Sequence, residues 1–168
     1  MNMSPGEFNQ NIKRLTEEYK EFFDKYAPVI AGNEAVRFFK KNFQNEAWGR
    51  VKWKEVKRRE STWQRNGKEI PNPTKGAART RKILTGESGD LGRSIEIKGA
   101  ALGTVIIWTN PSAFSSKEPY GRVHNEGLRA GRGKGFIMPK RQFMGNDPEL
   151  NKIIIEKLEI KLKEIFSK

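Results

Sequence analysis

Asp90 and the run Glu96-Ile97-Lys98 are the residues whose types and spacing come nearest to reaction chemistry. An Asp followed by Glu-x-Lys can hold Mg²⁺ between two carboxylates, while the Lys steadies charge developing on a phosphate. The competing reading makes Glu96 and Lys98 the outward face of an amphipathic strand whose inward face is Ile95 and Ile97. The motif is short and its ligands are few, so the strand face is preferred. Gly86-Glu87-Ser88-Gly89-Asp90-Leu91-Gly92 lacks dinucleotide spacing, and its acidic residues would repel phosphate, which makes it a turn. Gly133-Lys134 is followed by Gly135 and has Leu128 five positions before it, so a phosphate loop fails twice. His124 has Glu126 close in sequence but no nucleophile, and reads as structural. Trp48, Trp53 and Trp63 interleave with Lys and Arg and could stack on unpaired bases. Trp48 and Trp53 also suit a core or an interface, which leaves Trp63 without an ordinary structural home.

Trp63 lies in the most basic part of the chain. The 168 residues carry 33 Lys+Arg against 20 Asp+Glu, a formal charge of +13. Glu34 to Lys82 holds 15 of the Lys+Arg and five Glu, a net of +10, so the rest is nearly balanced at +3. Between residues 54 and 82 only Val56, Trp63 and Ile70 are large and apolar. So little apolar surface does not offset ordering entropy, and about 25 residues of mobile basic loop are expected there, of the kind that works through a partner. Its candidate contact residues are Lys57, Arg58, Arg59, Trp63, Arg65, Arg79, Arg81 and Lys82.

The composition removes several classes of function. No Cys means no disulfide framework, thiolate nucleophile or Cys-ligated zinc, and one His cannot build a multi-His metal site in one chain. Val105–Trp108 and Ile153–Ile155 fall far short of the ~20 apolar residues of a membrane span. The first residues lack the basic and apolar regions of a signal peptide, so an intracellular or particle-bound protein is expected.

The elements that position these residues read as one α+β domain over 1–168. Ser4-Pro5-Gly6-Glu7 is a capping box, and Phe8, Ile12, Leu15, Tyr19, Phe22 and Tyr26 mark one face of a helix. Pro28 breaks that helix or starts a second one, which Val36, Phe39 and Phe43 carry to about residue 46. Trp48, Val51 and Trp53 suggest a short extended segment. Ser94–Lys98 and Thr104–Thr109 read as a hairpin, and Phe136-Ile137-Met138 as a third strand, so that 83–145 forms a small antiparallel sheet. Residues 120–126 suit a short helix or turn closed by Gly127. Asp147-Pro148-Glu149 starts a C-terminal helix over 147–166.

The ordered landmarks resemble the phage virion morphogenesis, or tail-completion, family. They are Asn42-Phe43, then Trp48 and Trp53, then Ile83-Leu84-Thr85-Gly86 with Ser88-Gly89-Asp90-Leu91-Gly92-Arg93-Ser94-Ile95. The box Tyr120-Gly121-Arg122-Val123-His124-Asn125-Glu126-Gly127 follows, and then Pro139-Lys140-Arg141-Gln142-Phe143-Met144-Gly145. The likeness runs over roughly residues 36–166, departing at Gly121, where many members have Ala, and at an insertion over 112–117.

The resemblance implies a structural protein of the virion neck, not an enzyme, that completes the tail and joins it to the head. It implies an α+β protomer in a homo-oligomeric ring, often hexameric, with other neck and tail proteins as partners and no cofactor, metal or membrane. It places the protein in the virion, and in the host cytoplasm during assembly. His124, Gly127, Arg141, Phe143, Met144 and Gly145 become structural or interface residues. Gly127 and Gly145 suit positive φ, Phe143 and Met144 can anchor the C-terminal helix on the sheet, and His124 and Arg141 can fix loops by hydrogen bonds. The basic loop then docks on acidic neighbours, the preferred reading, contacts DNA in transit without reading sequence, or is only a solvated, solubilising surface. The alternatives are a nucleic-acid-binding module using the 50–82 segment and a metal-dependent nuclease.

Overall fold

The computed structural model describes residues 3–86, 88–114 and 120–167. Glu87 of the glycine-rich turn and residues 115–117 of the insertion lie outside them. The fold is α+β, and its contacts group into two compact units.

The first unit comprises Met1–Phe38, Glu96–Trp108 and Asn146–Lys168. Helix α1 (Pro5–Glu21) begins at the expected capping box. The Ser4 hydroxyl accepts from the Glu7 amide at 3.3 Å, and the Glu7 carboxylate accepts from the Ser4 amide at 2.8 Å. The chain does not break at Pro28. A π-helical turn (Phe22–Tyr26) leads directly into helix α2 (Ala27–Asn45), and the Ala27 amide donates to the Phe22 carbonyl five residues back. This wider turn re-registers the carbonyls just ahead of Pro28, whose ring would otherwise clash with the carbonyl four residues before it. The hairpin of β5 (Ile95–Ala101) and β6 (Thr104–Thr109) turns at Leu102 and Gly103, both at positive φ. It lies against α2 at Gly32, where an added Cβ would stand 2.6 Å from Ile97 Cδ1 and 3.1 Å from Val105 Cγ1. Helix α6 (Pro148–Phe166) is capped by Asp147, whose carboxylate accepts from the Glu149 amide at 2.8 Å. Its Phe166 ring lies 6.4 Å from that of Tyr19 on α1.

The second unit comprises Phe39–Ile95 and Thr109–Gly145. It starts from the last turns of α2, followed by a small hairpin of β1 (Ala47–Trp48) and β2 (Val51–Lys52). The segment expected to be a mobile loop carries secondary structure instead. A 3₁₀ turn (Lys57–Arg59) leads to a hairpin of β3 (Thr62–Arg65) and β4 (Lys68–Pro71), then to helix α3 (Gly76–Thr80). Asn66 and Gly67 at the hairpin tip both have positive φ, the geometry that matches the strands' right-handed twist. Trp63 stands opposite Ile70 and donates from its indole N–H to the Lys57 carbonyl at 3.0 Å. It therefore has an ordinary structural home. Helix α4 (Asp90–Arg93) and helix α5 (Gly121–Glu126) follow, the latter ended by Gly127. β7 (Arg129–Ala130) pairs with β8 (Phe136–Ile137). Among the described residues the strands form four two-stranded sheets, and Phe136-Ile137 pairs in its own hairpin, not with β5 and β6. The core of this unit is Phe39, Phe43, Trp53, Ile83, Leu91, Ile95 and Phe143.

Candidate functional site

The sequence landmarks of the second unit meet around one polar knot. Asn125, at the end of α5, makes three bonds to the strand-like segment 141–145. Its side-chain oxygen accepts from the amides of Phe143 and Met144 at 2.9 and 3.0 Å, and its side-chain nitrogen donates to the Met144 carbonyl at 3.2 Å. Asn42 on α2 donates to the Phe143 carbonyl at 3.1 Å from a buried position. Phe143 is 1% exposed, its ring 5.0 Å from that of Phe43. Its seat is thus α2, where the sequence suggests an anchor between C-terminal helix and sheet. The Trp53 indole donates to the Gln142 carbonyl at 2.7 Å.

Gly127 has φ +74, and a Cβ there would stand 2.9 Å from Lys140 Cβ, so both conformation and space require glycine. Gly145 has φ +152 and lies against Gln142 and Trp48.

Arg141 fixes a loop as expected: buried, it donates from Nε to the Lys54 carbonyl at 3.1 Å. His124 does so only through its backbone, its carbonyl accepting from the Arg141 amide at 2.8 Å. Its ring Nδ1 is buried without a hydrogen-bond partner, and Glu126 pairs with Arg122 at 3.0 Å. Burial, and then the Arg141 charge, push the His124 imidazole below its ordinary pKa, which favours the neutral ring.

The basic segment is split by the structure into inward and outward cations. Arg59 makes a two-pronged pair with Glu46, at 2.6 and 3.0 Å, and donates to the Arg81 carbonyl at 2.9 Å. Glu46, at φ +52 just beyond α2, also accepts from the Ile83 amide at 2.6 Å. The Arg59 hydrogen bonds hold its carboxyl below the usual range, against an opposing push from burial. Arg58 donates to the carbonyls of Arg81 and Lys82 at 2.8 and 2.9 Å. Lys82 is exposed along most of its stem, with its ammonium on the Gln44 carbonyl. Arg79 and Arg81 are half-buried, whereas Lys57, Arg65, Lys68 and Lys75 are exposed.

Beside this knot lies a cavity of about 400 Å³, lined among others by Arg58, Arg81, Arg141, His124, Tyr120 and Ile83. Sequence reasoning did not bring these residues together. Three Arg separated by tens of residues carry no periodic signal, and Glu46 and Asn125, which order the surroundings, look like ordinary polar residues at helix ends.

The Asp90, Glu96 and Lys98 set is placed by neighbours of its own. Asp90 pairs with Arg93 at 3.0 Å, and Glu96 accepts from the Trp108 indole at 3.2 Å. The Lys98 ammonium sits 4.8 Å from the centroid of the same indole ring. Among the described residues, no group of three or more His, Asp or Glu is arranged to hold a metal ion, and no helix is long and apolar enough to cross a membrane. No protein-family model, curated protein or solved structure matches the chain.

Proposed function

We propose that the chain is a structural phage virion assembly protein of the neck or tail-completion type, acting where tail joins head. One observation carries this reading. The residues on which the resemblance rests, Asn42-Phe43, Trp53, the His124-Asn125 box and Arg141–Met144, lie far apart in sequence yet meet in one network. The side chains of Asn42, Trp53, Asn125 and Arg141 direct their bonds to the chain's own backbone, an arrangement that holds segments in place. On this reading the protein works in a ring of identical copies, contacting other neck and tail proteins, in the virion and in the host cytoplasm during assembly. The half-exposed Phe8, Ile12, Tyr19 and Tyr26 are surface that an assembly would cover.

Removing the gene from the phage that carries it should leave filled heads and finished tails unjoined, and supplying the protein in trans should restore joining. Normal particles without the gene would refute the proposal. Mass measurement over a range of concentrations, alone and with neck proteins, tests the ring.

The exposed cations of the β3–β4 hairpin, Arg65 and Lys68 beside its tip, are the best-placed groups for docking on acidic neighbours. They equally favour a second reading, non-specific contact with DNA phosphates. That reading requires duplex binding that weakens steeply between about 50 and 200 mM salt. A flat salt response removes it.

A further inference from the structure

The geometry points to the cavity beside the knot as a receptor site for a single oxyanion, a phosphate or a carboxylate, which nothing in the virion reading requires. Arg58, Arg81 and Arg141 line it together with His124 and Tyr120, while Ile83 supplies apolar wall. The buried Nε–H of Arg58 has no hydrogen-bond partner, and neither has the buried Nδ1 of His124. Buried polar groups are nearly always paired, so unmet ones on two side chains that line the cavity leave bonding capacity that a small side-chain rotation would turn toward a ligand.

The charges lead to the same chemistry. Arg141 is 6% exposed, and its bonds to the 54–55 segment run to neutral carbonyls. Two carboxylates act on these guanidiniums: Glu46, already held by Arg59 from two prongs and by the Ile83 amide, and Glu55, which is exposed and paired with Arg59 at 3.4 Å. Burial and the charges of Arg59 and Arg81 weaken Arg58's hold on its proton, and burial followed by Arg58 does the same for Arg141. The Arg58 charge opposes that of Arg141, and an anion between them would relieve both that repulsion and the unmet donor. A cation would add to the repulsion, and a neutral ligand would leave it in place. At about 400 Å³ the cavity is at the small end of ligand sites and suits one anionic group with a short apolar stem, not a strand of nucleic acid.

The chain's single histidine makes the test direct, because every imidazole signal in an NMR spectrum belongs to His124. The full chain is titrated at fixed ionic strength with inorganic phosphate in one arm, acetate in a second and chloride alone in a third. The expected result is a saturable shift of the His124 resonances with phosphate, acetate or both, absent with chloride. The arm that saturates identifies the class of ligand. Arg58→Lys, which keeps a cation but removes the Nε–H, should weaken binding about tenfold, as loss of one charge-assisted bond does. Arg132→Gln, in an exposed loop, should leave affinity unchanged. A straight-line response in all three arms overturns the proposal, as does unchanged affinity in a folded Arg58→Lys protein. If Arg58→Lys does not fold, the wild-type titration decides alone, supported by a melting temperature that rises with phosphate or acetate but not with chloride.

Discussion

In the unit built from Phe39–Ile95 and Thr109–Gly145, buried polar side chains hold distant segments in register. Asn42, Asn72, Ser94 and Arg141 are all buried, and Asn42 and Arg141 bond to backbone about 90 to 100 residues away in sequence. In the unit built from Met1–Phe38, Glu96–Trp108 and Asn146–Lys168, helix α1 buries no residue, and Phe8, Ile12 and Tyr19 stay about half exposed. Hydrogen bonds are directional, so the first arrangement admits one register; apolar contact is not, and the second leaves surface that accepts more than one neighbour. The contrast is between one unit specified internally and another that leaves apolar surface uncovered.

The sharpest way to break this contrast is to truncate one aromatic in each unit. Phe143→Ala removes a ring packed on Phe43 with 1% exposure, and should cost about 3–5 kcal/mol. Phe8→Ala removes a ring that is 56% exposed, and should stay within about 0.5 kcal/mol in the isolated protein. Urea unfolding measures both. Similar losses at the two positions would erase the distinction. Next in size, Asn125→Ala leaves the Phe143 and Met144 amides without their acceptor and should cost about 2–3 kcal/mol.

The contrast also governs how much could be read from the sequence. The first unit is made of local signals: the Ser4–Glu7 box, the Asp147-Pro148 start and the alternation in Ile95–Lys98 all stand where expected, since each depends on a few adjacent residues. Pro28 stands in the first turn of α2, as one arm of its reading has it, but the π turn that joins the two helices without a break is a register change that no single residue announces. In the second unit composition outweighed geometry. Residues 54–82 looked too polar to order, yet Asn66-Gly67 is a strong hairpin signal, and Trp63 opposite Ile70 gives that hairpin its apolar pair. The site was least legible. Asn125 and Arg141 act on carbonyls and amides, which every residue has, so nothing at the receiving end marks the sequence. The cavity depends on Arg58, Arg81 and Arg141 converging through the fold alone.

The Glu46–Arg59 pair sharpens the comparison at an intermediate scale. Each side chain is 21% exposed, between the surface and buried regimes, so Glu46→Ala should cost about 1–2 kcal/mol. Its acid dependence has a definite sign. The folded pKa lies below that of the unfolded chain, so the pair's stability is present above about pH 4.3 and is lost as pH falls through the lower folded value. The variant should lack that part of the acid loss. The exposed Arg14–Glu18 pair of α1 should contribute at most a few tenths of a kcal/mol, by double-mutant cycle.

The smallest effect belongs to His124 and has the opposite charge logic. The described titratable groups that line the cavity with it are Tyr120, Arg58, Arg81 and Arg141, and the Arg141 charge opposes an imidazolium. Its folded pKa is lowered by burial and then by Arg141, so as pH falls past about 6.5 the unfolded chain takes the proton first. Stability should therefore decline from about pH 6.5 downward and level off below the folded pKa. His124→Gln should remove that decline, whatever its effect on stability at pH 8, whereas Phe8→Ala should retain it. Parallel stability curves for wild type and His124→Gln between pH 8 and 5 would show that the ring does not sense the cavity's charge. A decline that shrinks on adding phosphate at fixed ionic strength would show that it does, because a bound oxyanion gives the imidazolium the partner that burial and the Arg141 charge deny it.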